Sequence, residues 1–81
     1  MVEHKLKIYK YTVVLEPAEE GGYVVTVPAL PGCVTQGETF EEAVEMTKEA
    51  IQLYLETLKE HNEDLPVEPE GVVISEVAVN A

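Results

Sequence analysis

The chain has 81 residues, room for one small domain, and 46% of them are hydrophobic, which is ordinary globular usage. Sixteen acids against five lysines, with no arginine, give a net charge of −11, which excludes a direct grip on DNA or RNA and disfavours an anionic membrane surface, because both need Lys and Arg. No apolar run approaches the roughly 20 residues of a membrane helix, no signal peptide follows the N-terminal lysines, and one cysteine cannot close an internal disulfide, so a protein of the reducing cytoplasm is expected.

In chain order, residues 6–16 predict a first strand, rich in Tyr, Val, Ile and Thr and free of Gly and Pro. Tyr9, Tyr11, Val13 and Leu15 form its uncharged face, and Lys10 breaks the other. Pro17 to Gly22 predicts a hairpin turn, since paired glycines supply positive φ. Tyr23 to Val27 is a second strand, antiparallel to the first. Pro28, Pro31 and Gly32 interrupt regular structure, and Cys33 to Gln36 is a short third strand stopped by Gly37. Pro31, Gly32 and Cys33 are expected to be structural, fixing the turn into that strand.

A helix then begins at a well-marked point. Thr39 and Glu42 have capping-box spacing, and Glu38, Glu41 and Glu42 sit where the helix dipole favours negative charge. At about 100° per residue, Phe40, Ala43, Val44, Thr47, Ala50, Ile51, Tyr54, Leu55 and Leu58 share one broad core-facing stripe. The helix should fade near Lys59 to Asn62, and Pro66, Pro69 and Gly71 mark a loop. Val72 to Val79 predicts a last strand.

The order β-β-β-α-β predicts a two-layer α+β domain. A right-handed crossover lays the last strand beside the first, giving a mostly antiparallel sheet of order 3-2-1-4 with one helix on one face. The other face is left bare although apolar residues of both parities must meet it, so a homo-oligomer, dimer or tetramer, is expected.

Glu41, Glu45, Glu49, Gln52, Glu56, Glu60 and Glu63 fall in one sector of the helical wheel. Like charges at i,i+4 destabilise a helix by a few tenths of a kcal/mol. A charge run is ordinarily a solvated face; the sharper reading is a docking face for a basic partner, with Glu45, Glu49, Glu56 and Glu60 as the contact candidates. Met46, Leu53 and Thr57 flank this stripe. They are rim-buried core or a small contact patch, and Met46 and Leu53 are the candidates for an oligomer contact.

Catalytic residues are sparse. Cys33 as a nucleophile needs a nearby histidine, and the only two, His4 and His61, lie near the N-terminus and at the helix end. A lone cysteine beside a strand is ordinarily a small buried hydrophobe. Neither histidine has metal-ligand spacing with the other or with Cys33. No phosphate-cradling loop is present, and neither a metal nor a cofactor is implied. A binding protein is expected rather than an enzyme.

The run from Gly22 to Ala43, GYVVTVPALPGCVTQGETFEEA, resembles the HicB antitoxin family. Its most specific pieces are PALPGC (Pro28–Cys33), QGET (Gln36–Thr39), and Glu42 with Ala43; the likeness extends over residues 8–66. The resemblance implies a degraded ribonuclease-H-like fold, in keeping with the absence of a carboxylate inside the first strand. It also implies a partner: HicA, a small basic RNA-cleaving toxin whose RNA-binding surface the antitoxin covers. An acidic chain suits that role, since it imitates the charge of the RNA. Many family members add a C-terminal DNA-binding domain, for which these 81 residues leave no room, so operator binding is not expected. The other reading is a stand-alone oligomeric module that binds a different basic protein or a small ligand.

Overall fold

The computed structural model describes residues 8–81. Its elements are β1 (Val14–Pro17), β2 (Tyr23–Thr26), β3 (Val34–Gly37) and α1 (Phe40–Glu60). The three strands form an antiparallel sheet in the order β1-β2-β3. The α+β class and the succession of three strands and a helix are as expected.

Register explains which residues meet the helix. Leu15, Val25 and Thr35 share one row across the sheet, and Val14, Thr26 and Val34 share the next. Alternate residues point to opposite faces. Val25 is fully buried, whereas Val24 and Val34, of the opposite parity, are 37% and 58% exposed. The glycine turn forms as the sequence demands. The Ala18 N–H donates to Gly22 O and the Gly21 N–H to Ala18 O, with Gly21 and Gly22 at φ +98° and +75°.

The PALPGC loop is the centre of the core. Val27 and Cys33 close its ends by a backbone hydrogen bond of 3.2 Å, and successive turns link Leu30 N–H to Val27 O and Cys33 N–H to Leu30 O. Leu30 is fully buried, and with Val27 and Cys33 it packs against Tyr11, Val13, Ala50, Ile51, Tyr54 and Leu55. The Tyr54 hydroxyl donates to Pro31 O at 2.9 Å, tying the loop to α1. The N–H groups of the buried Val27, Leu30 and Cys33 are thus satisfied, as burial requires.

The helix starts where the capping signal places it. The Thr39 hydroxyl accepts from the Glu42 N–H at 3.1 Å. The Glu42 carboxylate reaches back one residue beyond the cap, accepting from the Glu38 N–H at 3.1 Å. Removing the cap hydroxyl with Thr39→Ala is expected to cost about 1 kcal/mol, measurable as a lowered midpoint in chemical denaturation. At the far end His61 is the C-cap, and Asn62 takes the left-handed conformation at φ +55°. Thr47, a polar member of the core stripe, is buried because its hydroxyl donates to Ala43 O at 2.6 Å within the helix.

Two expectations are corrected. The first strand, expected over residues 6–16, pairs only over Val14–Pro17; residues 8–13 lie outside the ladder, and residues 6 and 7 lie outside the described residues. The cause is its neighbour: β2 ends at Thr26 and the chain turns at Pro28, so nothing remains for residues 8–13 to pair with. Their side chains still serve the core, through Tyr11 and Val13. The second correction concerns Val72 to Val79, which form no strand here. Pro66 to Glu68 run beside Tyr11 and Thr12 instead. The Tyr11 hydroxyl donates to Pro66 O, and both the Thr12 N–H and its hydroxyl donate to the Glu68 carboxylate at 2.7 Å. A carboxylate thus meets an edge N–H that a fourth strand's carbonyl would otherwise meet. Burial, aided by the nearby Tyr9 and Glu68, pushes the Tyr11 hydroxyl pKa up.

Candidate partner-binding surface

The outward face of α1 presents Glu41, Glu45, Glu49, Glu56 and Glu60, all exposed. From Glu41 to Glu60 the stripe runs about 28 Å at the helical rise of 1.5 Å per residue. Nothing among the described residues covers it. Glu45, Glu49 and Glu60 stand on the open face, while Glu56 stands at the margin of a groove along one flank of the helix, near Lys48 and Lys59. The four carboxylates singled out in the sequence therefore share one side of the molecule but not one pocket.

Met46 and Leu53 lie on the opposite flank, 41% and 65% exposed. Met46 lines a second groove, of about 730 Å³, between the β1–β2 turn and the start of α1. Glu19 and Glu20 enter it from the turn, and Glu38 and Glu42 from the helix cap. This second acidic cluster is absent from the helical-wheel argument. The signal for it lay in the pairing of β2 with β3: Tyr23 opposite Gly37 brings the turn beside Glu38. Sequence separation hides it, because the two pairs of acids are 18 to 23 residues apart in the chain.

Pro31, Gly32 and Cys33 sit in the PALPGC loop, the first two exposed and Cys33 buried. Gly32 has φ +83°, a left-handed conformation that favours glycine. The Cys33 thiol is buried and its pKa is pushed up by desolvation, which opposes the thiolate a nucleophile needs. His61 is taken up by the helix end, and His4 lies outside the described residues. No helix among the described residues is long and apolar enough to cross a membrane.

The sequence that builds this surface has counterparts in known proteins. Residues 11–78 match the family model described as the HicB-like antitoxin of bacterial toxin–antitoxin systems. The chain belongs to this family. Among curated relatives, the UPF0150 protein Ta0767 of Thermoplasma acidophilum is 60% identical over 57 residues, which cover 70% of this chain and 83% of the relative. The UPF0150 protein ssr1765 of Synechocystis is 48% identical over 73 residues, 84% of this chain and 92% of the relative. Antitoxin HicB of Escherichia coli is 43% identical over 58 residues, 72% of this chain but only 42% of that protein. The HicB-like match reaches past α1 to residue 78 and so takes in the segment that leaves the body of the domain.

The position of this HicB-like domain's signature is informative. Gly37, Thr39, Glu42 and Ala43 of its QGET-x-x-EA run form the junction of β3 with α1, and PALPGC forms the core loop. The signature therefore builds the scaffold, and the exposed acids are displayed on it.

Proposed function

We propose that this HicB-like chain is an antitoxin that neutralises a basic, HicA-like RNA-cleaving toxin by covering the toxin's RNA-binding surface. The observation that carries the reading is the one-sided acidic face of α1 on a member of an antitoxin family. A surface that binds RNA is basic, and a protein of charge −11 with its carboxylates on one rigid helix competes for it on the same physical terms. The mechanism is steric and electrostatic. The helix holds the carboxylates at fixed spacing, so little side-chain order beyond their own rotamers is lost on docking. Glu45, Glu49, Glu56 and Glu60 make the contacts, and the turn acids Glu19 and Glu20 extend the field toward one end. The chain itself acts by binding, without a catalytic step, and works in the cytoplasm, where the toxin's RNA substrates are.

The domain is a partial ribonuclease-H-like sheet with one helix layer, and its unpaired fourth position lies beside β1. It self-associates, with Met46 and Leu53 on an available helix flank. Residues 1–81 serve as the toxin-covering domain.

The test is co-expression with the product of the reading frame adjacent to its gene. A short basic product is expected to co-purify at low salt and to lose its RNA-cleaving activity in the complex. An adjacent basic RNase that neither co-purifies nor loses activity defeats the proposal.

A further inference from the structure

The structure leaves an apolar groove and an apolar strand unsatisfied on the same chain. The groove, of about 870 Å³, runs between residues 9–13 and α1. Its floor and walls are Tyr9, Tyr11, Val13, Val44, Ile51 and Leu55. Val44 belongs to the core stripe of the helix yet is 41% exposed, because the place beside β1 is empty. Lys48 and Lys59, both lysines of α1, stand on the rim with Glu56.

The would-be strand is the segment 72–79, which is unpaired in the single chain. Val73, Val77 and Val79 are 83%, 84% and 82% exposed, and Ile74, of the opposite parity, is 61% exposed. Apolar residues on both faces characterise a strand covered on both sides within a sheet. Such a strand left in water is a pairing template and an aggregation hazard.

The segment does not reach its own groove. Residues 66–68 are tied to Tyr11 and Thr12, and a turn at Glu70–Gly71, with Gly71 at φ +80°, follows at once. The longest dimension of the molecule is 59 Å. Residues 72–79 are all exposed, so the segment stands clear of the body.

We infer that residues 72–79 of one copy fill the groove of a second copy, each chain donating its strand to the other. The donated strand lies along the groove between residues 9–13 and α1 of its host, while the edge at Tyr11 and Thr12 stays with the host's own Pro66 and Glu68. Dimensions agree: Val44 to Lys59 spans about 22 Å along the helix, close to the length of eight extended residues. Charge agrees as well, because Glu76 of the donated strand meets a groove rimmed by Lys48 and Lys59. The exchange hides the apolar segment, covers Val44, Ile51 and Leu55, and leaves Glu45 and Glu49 outside on the acidic face. It shares only Glu56, on the groove rim, with the toxin proposal, whose other carboxylates stand on the open face.

The experiment uses the full chain in two measurements. Sedimentation equilibrium is expected to show a dimer at micromolar concentration. The double variant V73D/V77D, altered only at residues exposed in the single chain, is expected to weaken dimerisation at least roughly tenfold while the helical circular dichroism stays unchanged. Isotope-filtered NMR on an equal mixture of 13C-labelled and unlabelled chains is expected to show contacts between the Ile74 or Val77 methyl groups of one copy and the Tyr11 ring of the other. A monomer, a dimer indifferent to V73D/V77D, contacts confined within one chain, or a groove that fills only when a basic protein is added would each overturn the inference.

Discussion

Replacing Gly37 with alanine is expected to unfold the domain or come close to it. A Cβ at this position would stand 2.4 Å from the backbone N of Ala43, 2.5 Å from its Cα and 2.9 Å from the carbonyl carbon of Glu42. These are atoms of the first helical turn, held in place by the Thr39 and Glu42 cap, so relief by a rotamer change is impossible. The helix N-terminus must move away from β3, and Ala43, fully buried, moves with it. Forcing extra atoms into a packed site costs typically about 1–3 kcal/mol, and a clash with backbone belongs at the upper end or beyond. A loss of about 3 kcal/mol lowers the melting temperature of a domain this small by roughly 12–24 °C. The control is Gln36→Ala, at an exposed position of the same strand, which is expected to change the melting temperature little. Thermal denaturation followed at the helical circular dichroism band reads both. A Gly37→Ala protein that melts with the wild type would disprove the close approach of β3 to α1.

The second large effect concerns binding. Reversing Glu45, Glu49 and Glu56 together to lysine moves the net charge from −11 to −5, since each reversal adds two units. The wild-type carboxylates are exposed, so the fold is expected to persist, with the melting temperature unchanged or slightly raised by relief of i,i+4 repulsion. Affinity for the basic partner is expected to fall at least about a hundredfold, because three attractive contacts become three like-charge contacts, which cost several kcal/mol at an interface. Calorimetric titration of the partner into each variant measures this. Unchanged affinity would reduce the stripe to a solvated face and move attention to Glu19, Glu20, Glu38 and Glu42.

Much of the fold was legible in local sequence because its causes are local. Thr39 with Glu42 marks the helix start through hydrogen bonds that span three residues. Gly21 and Gly22 mark the hairpin because the turn needs positive φ. The length of β1 was not legible from its own residues. It is set by where β2 stops, at Thr26, ahead of the turn at Pro28. The missing fourth strand has the same kind of cause: its apolar residues state that it needs a neighbour, not which chain supplies one. At the surface, the helix stripe followed from periodicity alone. The turn acids that join Glu38 and Glu42 required the register of Tyr23 with Gly37, which is a long-range fact.

The QGET and PALPGC motifs illustrate how family likeness and function divide. Their residues fix the helix cap, the β3–α1 contact and the core loop. In this chain they build the scaffold, while the proposed binding face lies on residues outside both motifs.

The affinity of the unmodified chain for its adjacent-gene partner, measured across salt concentrations, addresses the proposed electrostatic cover most directly. Coulombic docking between exposed charges is screened over a Debye length that shrinks from about 10 Å at 0.1 M to about 3 Å at 1 M salt. The expected result is a dissociation constant that rises steeply between these concentrations, driven by slower association. A dissociation constant that stays flat over the same range would contradict the account, because a cover that imitates RNA by its charge must weaken when that charge is screened.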